Sequence, residues 1–143
     1  FGADGSIPAM TLMMQREAAE RFTARPGDRV YGPLTVLAGY YYEVTKLMEL
    51  SRDMYYPQPD VDSVVLKLTA KGEEKLFELE WLLNRAFAMR RKTLSNNLRA
   101  AGISDERLKT LLGACGIEGN IRAEKLTVAQ FANIAREIEA HGK

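Results

Sequence analysis

Residues 63–69 alternate more cleanly than any other stretch of the chain. Val64, Leu66 and Leu68 share one face and Val65, Lys67 and Thr69 the other, the period of two expected of a strand. The run M-T-L-M-M-Q over residues 10–15 is apolar without that alternation. It suits a buried parallel strand, although periodicity alone leaves a helix open. Residues 43–50 read as a further strand. Residues 16–22 have helical composition, and P-G-D at 26–28 ends that helix. Gly32 and Pro33 open another helix, with Pro33 at its first position, running to about residue 42. The order strand, helix, helix, strand, loop, strand is half of an α/β sheet, with too few strands for a complete one.

The pattern changes at Lys71 and Gly72, and only helical periodicity follows. Residues 1–71 are therefore expected to form the α/β part and residues 72–143 a small all-α domain. The first helix of that domain is expected over residues 74–101, with Gly102 just past its end. A second begins at Ser104, where Leu108, Leu111, Leu112 and Cys115 recur at helical offsets. A third begins at Thr127. There Thr127 and Gln130 make a capping box, Leu126 and Phe131 the matching hydrophobic staple, and Phe131, Ile134, Ala135 and Ile138 the apolar face. The two short helices are expected to bury their stripes against the long one. Gly113, Gly116 and Gly119 read as caps and turns.

Bulk composition adds exclusions. The 143 residues are 46% hydrophobic and 27% charged with a net charge of +1, so total charge implies no partner. The single cysteine, Cys115, allows no internal disulfide, fits a reducing compartment such as the cytoplasm, and occupies a core position rather than that of a nucleophile. The apolar run near the start is too short to cross a bilayer, and no secretory signal pattern is evident, so no membrane partner is expected. His141, the only histidine, lies in the C-terminal tail, which excludes histidine triads and multi-histidine metal sites. Neither a P-loop nor G-x-G-x-x-G is present.

Charge distribution is more informative than its sum. Between Trp81 and Ser104 lie Arg85, Arg90, Arg91, Lys92 and Arg99, with no acidic residue. On one continuous helix Arg85, Lys92 and Arg99, seven apart, would share a side, and Asn96 and Asn97 would add hydrogen-bonding groups. Such a stripe suits RNA phosphates, and the local imbalance favours that over a merely solvated face. Arg21 and Arg122 are further RNA candidates, each with an equal claim to a surface ion pair, given Glu17, Glu20 and Glu124 nearby in sequence. Trp81 packs between the two parts or anchors the helical one. The segment Y-Y-P-Q-P-D-V-D-S over residues 55–63 places two aromatic residues on a loop stiffened by two prolines. Enzymes that modify a base hold it outside its stack, and an aromatic face can receive it. Equally, Tyr55 and Tyr56 can pack on the surface while the prolines shape a hairpin.

That segment resembles the F-x-P-x-P-x-V-x-S signature of the KsgA and Erm family of RNA adenine N6-methyltransferases. Tyr55 stands where the family usually has phenylalanine, and Pro57, Pro59, Val61 and Ser63 match as they stand. Further segments are similar to that family: M-M-Q-R-E-A-A-E-R-F at 13–22, Y-G-P-L-T-V at 31–36, F-A-M-R-R-K-T-L-S-N-N-L at 87–98 and R-A-E-K-L at 122–126. The last two favour the ribosomal branch over the Erm resistance enzymes. The resemblance implies the C-terminal half of a Rossmann-like methyltransferase sheet followed by a helical domain that docks on small-subunit rRNA. It implies methyl transfer from S-adenosylmethionine to two adjacent adenines near the 3′ end of that rRNA, with Tyr55 stacking on the target adenine. The family's glycine-rich donor loop and its N-L-P-Y segment do not occur in these 143 residues. This chain alone is thus expected to be inactive, with no cofactor-binding residue of its own. The rival expectations are a non-catalytic RNA- or ribosome-binding module, an Erm-type enzyme of large-subunit rRNA, or a relative of mitochondrial transcription factor B. An exposed sheet edge also invites self-association.

Overall fold

The computed structural model describes residues 4–54, 56–58 and 60–143. Strands β1 (Ala9–Gln15), β2 (Tyr42–Leu50) and β3 (Ser63–Ala70) form one sheet in the order β1-β3-β2, with β3 antiparallel to both neighbours. The alternation in β3 sets its orientation. Val64, Leu66 and Leu68 are buried, and opposite them on β1 stand Met14, Leu12 and Met10. These same-face pairs are the unit by which a sheet is stabilised. β1 is therefore a half-exposed antiparallel strand, not the buried parallel strand expected from its composition. Its second face carries Thr11 and Met13, the latter 61% exposed, and an apolar residue at an outward position hid the alternation. On β2 the register shifts between Lys46 and Met48, and this bulge leaves Leu47 and Met48 exposed.

Helix α1 (Arg16–Thr23) continues directly from β1 and buries Ala19 and Phe22. Helix α2 (Pro33–Tyr41) starts where Pro33 predicts. The Thr35 hydroxyl accepts from the Gly32 N–H at 3.2 Å and donates to the Arg21 carbonyl at 2.5 Å, which ties the helix start to α1. Tyrosines then fasten distant segments. Tyr31 donates to the Leu126 carbonyl at 2.6 Å and Tyr40 to the Glu74 carbonyl at 2.9 Å, while the Tyr41 hydroxyl accepts from the Leu76 N–H at 3.0 Å. Each hydroxyl thereby satisfies its buried end as well as a backbone group.

The long helix expected over residues 74–101 is two helices, α3 (Leu79–Ala86) and α4 (Leu94–Ala100), separated by a turn over residues 87–93. Thr93 caps α4 by accepting from the Asn96 N–H at 3.2 Å. Asn97, only 2% exposed, fills the break: its Oδ1 accepts from the Met89 N–H, and its Nδ2 donates to the Ala86 and Met89 carbonyls. One buried amide thus replaces backbone bonds that the interrupted helix lost.

Helices α5 (Asp105–Cys115) and α6 (Val128–His141) follow with the expected caps. The Ser104 hydroxyl accepts from the Arg107 N–H, and Thr127 and Gln130 exchange both bonds of their capping box. Both apolar stripes are covered, but not by one long helix. α5 packs on α6, and α6 crosses α2 and α3. Gly113 lies inside α5, contrary to expectation, while Gly116 ends it in the left-handed region with φ +68°. A side chain at Gly119 would collide with the Ser95 hydroxyl. The buried core is continuous across residues 71–72, and Trp81 lies at its margin with the Lys143 ammonium 4.2 Å from its ring centroid. Among the described residues no helix is long and apolar enough to cross a membrane.

Candidate nucleic-acid interface

Two surfaces bear on the expected chemistry. The first is the loop between β2 and β3, organised by Asp62. Its Oδ2 accepts from Arg16 Nη2 at 3.1 Å, its Oδ1 from the Arg52 N–H at 2.9 Å, and its carbonyl from the Arg16 N–H at 3.0 Å. Arg52 also donates to the Asp60 carbonyl, and Gln58 to Asp53. Arg16 Nη2 lies 3.6 Å from Glu49 as well. The bonded Lys46 ammonium, and after it Arg16, hold the Glu49 carboxyl below its usual range. These contacts frame a cavity of about 440 Å³ lined by Gln15, Arg16, Glu17, Arg52, Asp60 and Asp62 among others. Pro57 and Tyr56 are exposed on this loop, joined by a cis peptide bond. Tyr55 and Pro59, the other two residues expected at the adenine site, lie outside the described residues.

The second surface is where three separated segments meet. The turn over residues 87–93 rests on the segment 28–31 through Arg90, whose Nη2 donates to the Arg29 carbonyl at 2.8 Å and the Tyr31 carbonyl at 2.7 Å. The same guanidinium lies over the Phe87 ring, 5.7 Å from its centroid. Gly27 donates to the Glu124 carbonyl at 2.6 Å, and Leu94 to the Ile121 carbonyl at 2.7 Å, which brings residues 121–125 to the same place. Phe87 packs between Tyr31, which it meets edge-on at 6.3 Å, and Phe131, whose ring is tilted 32° to it at 5.6 Å. Burial pushes the Tyr31 phenol up to about 12.

The cationic residues singled out by sequence are not equivalent. Arg85, Lys92 and Arg99 do not share a helix face, because the turn divides the helix that would have aligned them. Arg99 is committed to Asp105 at 2.6 Å and to the Asn96 side chain at 2.7 Å. Arg90 is held by backbone carbonyls. Arg21, Arg85, Arg91, Lys92 and Arg122 are exposed and form no ion pair among the described residues, so neither Arg21 nor Arg122 takes the nearby glutamates. Sequence reasoning missed Arg25, Arg29 and Lys125. The first two lie in the loop that Arg90 clasps, and the Lys125 ammonium sits beside Gly27. Lys125 is three residues from Arg122, but only tertiary contacts bring Arg25 and Arg29 to the segments of Arg91 and Arg122, and no local spacing announces that. Cys115 at the end of α5 is half-buried, and burial raises its thiol, which suits packing better than reaction.

The chain is similar to several known proteins. A family model described as ribosomal RNA adenine dimethylase matches residues 4–140. The ribosomal RNA small subunit methyltransferase A of Lactobacillus helveticus is 37% identical over 142 residues, covering 96% of this chain and 48% of that protein. The protein of the same name from Natranaerobius thermophilus is 41% identical over 138 residues, covering 92% and 46%. The chain thus spans about half the length of the curated relatives it matches. Among solved structures, a dimethyladenosine transferase from Plasmodium falciparum superposes with a TM-score of 0.76 at 25% identity, over 95% of this chain and 58% of that one. The 23S rRNA methyltransferase ErmE superposes with a TM-score of 0.62 at 22% identity, over 94% and 56%, a likeness of fold alone.

Proposed function

Because this chain belongs to the ribosomal RNA adenine dimethylase family, we propose that it supplies the RNA-facing portion of an enzyme that dimethylates adenine N6 in small-subunit rRNA, with S-adenosylmethionine as donor. The observation that carries the reading is the junction itself, where Arg21, Arg25, Arg29, Arg91, Lys92 and Arg122 are gathered from three segments without carboxylate partners. Cations left unpaired on a folded surface suit a polyanion, because each phosphate contact releases condensed counterions. The loop after β2 has the other role in this reading. Tyr55 stacks on the extruded adenine, and Pro57 and Pro59 stiffen the loop that presents it.

The donor itself does not fit the residues described here. β1 runs directly into α1, β2 into Ser51 and β3 into Lys71, and no glycine-rich turn follows any of them. A donor site of the Rossmann kind needs such a turn for close backbone approach. In this reading the donor loop and the N-L-P-Y segment belong to the other half of a protein about as long as the relatives, and no catalytic step is assigned to this chain alone. The exposed apolar strip of Met13 and Met48 on the sheet's outer face is consistent with further chain packing there.

Isothermal calorimetry and subunit binding test both parts. The chain should bind small ribosomal subunits with an affinity that falls steeply with salt, and should show no saturable uptake of S-adenosylmethionine. Micromolar donor binding would overturn the division of labour. Salt-independent or absent subunit binding would overturn the RNA-facing role. In the longer enzyme, Tyr55→Ala should slow methylation and leave subunit binding nearly intact, and Tyr55→Phe should be mild.

A further inference from the structure

At the start of α2 a cavity of about 250 Å³ opens beside the junction, lined by Arg21, Arg29, Arg90, Gly32 and Thr35 among others, with no acidic side chain in its wall. The three arginines come from α1, from the loop before α2 and from the turn over residues 87–93. Without a ligand, mutual repulsion of three guanidinium groups around so small a space opposes their meeting. Arg90 cannot withdraw freely: its Nη2 is bound to the Arg29 and Tyr31 carbonyls and its plane lies over Phe87. The Arg21 and Arg29 side chains make no hydrogen bond or ion pair among the described residues, although their carbonyls accept from Thr35 and Arg90. Arg21 is itself tied at its backbone through Thr35. The cavity wall therefore combines one fixed cation with two free ones.

We propose that this cavity is an oxyanion site that takes one phosphate of an RNA backbone. The inference rests on the RNA-facing reading above and adds a specific subsite to it. Arg90 supplies a guanidinium already ordered by its carbonyl bonds, so little rotamer freedom is lost when the anion arrives. Arg21 and Arg29 close on the phosphate oxygens in the forked geometry that suits arginine better than lysine. The Arg90 clasp then gives the site a second effect. A phosphate held here bridges α1, the 28–31 segment and the 87–93 turn, and so fixes the spacing between the loop side of the molecule and the cationic turn.

Two measurements on the intact chain test it. In the first, inorganic sulfate is titrated at low ionic strength and followed by the amide resonances of Gly32, Leu34 and Thr35. Saturable shifts confined to these residues, and lost in Arg21→Gln and Arg29→Gln, are expected; shifts spread over all cationic surfaces, or none, would overturn the site. In the second, the salt dependence of binding to small ribosomal subunits is compared between the wild type and Arg29→Gln. The logarithmic slope should fall by roughly 0.7–0.9, the value for one phosphate contact. Arg29→Lys should restore the slope while recovering only part of the affinity. Subunit binding with an unchanged slope in Arg29→Gln would refute the RNA phosphate while leaving the broader reading standing. Local sulfate binding without any subunit binding would instead refute the RNA source, and with it that broader reading.

Discussion

The loop after β2 and the cationic junction both lean on arginine, and they use it in different ways. At the loop, Arg16 meets the Asp62 and Glu49 carboxylates, while the Arg52 backbone N–H donates to Asp62 and its guanidinium to the Asp60 carbonyl. The Arg16 charge is neutralised where it stands, whereas the Arg52 guanidinium, on a carbonyl, is held in place without an ion pair among the described residues. At the junction only Arg90 is committed, and to carbonyls rather than carboxylates, so its charge persists. The others project without acidic partners. The contrast teaches that the number of arginines says less about RNA contact than the company they keep. A guanidinium facing a carboxylate shapes the protein, whereas one facing carbonyls or solvent adds to the field a phosphate meets.

The largest expected effect is on the scaffold of the junction. Asn97→Leu removes three hydrogen bonds at a site 2% exposed, and it takes the donor from the buried Ala86 carbonyl while the part-buried Met89 groups lose theirs. Leaving one such buried group unsatisfied, with two part-buried bonds lost beside it, costs about 2–3 kcal/mol. Urea unfolding should show that loss, and Asn97→Asp should be nearly as damaging because it cannot donate. A loss below about 1 kcal/mol would mean that the turn holds its shape without this amide, and that the junction is less rigid than the loop.

Next comes the division within the turn itself. Arg91→Gln combined with Lys92→Gln should lower the salt slope of subunit binding by roughly 1.4–1.8, as expected for two contacts. Arg90→Gln should lower unfolding stability by about 1–2 kcal/mol, since its bonds to the segment 28–31 disappear. If Arg90→Gln leaves stability intact, its clasp contributes nothing and the three cations act alike. If the double variant leaves the slope intact, Arg91 and Lys92 are simply solvated.

How much of this was legible beforehand depended on where the signal resides. The alternation at Val64, Leu66 and Leu68 and the capping box of Thr127 and Gln130 are local, and both elements formed as expected. The break over residues 87–93 was not read, because F-A-M-R-R-K contains no glycine or proline and each residue tolerates a helix. Thr93 was the one local hint, a cap residue placed before Leu94, and its meaning depended on Asn97 reaching back to Met89. Met13 misled in the other direction: an outward-facing apolar residue made β1 look buried on both sides. The candidate site divided the same way. Arg91 and Lys92 stood out by charge density alone, whereas Arg29 joined them only through the carbonyl bond that Arg90 makes to it.

Alkaline pH should act on the junction before it acts on the loop. Tyr31 donates to the Leu126 carbonyl from a buried position, and burial raises its phenol from 10.0 to about 12. The neutral phenol is therefore favoured in the folded state. Its contribution is fully present below the unfolded value and is lost as pH rises through the folded one, on the order of 2 kcal/mol between pH 10 and 12. Chemical unfolding over that window should show the decline, and Tyr31→Phe should flatten it. A decline of equal size in the phenylalanine variant would assign the alkaline sensitivity to other groups.

The smallest effect is expected at Arg16, and it is the sharpest probe of the contrast. Arg16 is as cationic as the junction arginines and exposed like them, and it lines the cavity under the loop after β2. If net positive charge anywhere on this surface drew RNA, Arg16→Gln would lower the salt slope as much as Arg91→Gln. Its guanidinium, however, already faces Asp62 at 3.1 Å and Glu49 at 3.6 Å. Phosphate would have to displace two carboxylates to gain one cation, and the counterions released would be fewer than at an unpaired side chain. Arg16→Gln should therefore leave the slope unchanged and alter stability by only about 0–1 kcal/mol, as exposed ion pairs do. In the longer enzyme the same variant should show its effect in methylation, if anywhere, because Asp62 loses one of the donors that orient the loop bearing Tyr55. A slope reduced to the level of Arg91→Gln would show that RNA reaches the loop cavity directly, and that the carboxylates there are displaced on binding rather than holding the loop throughout.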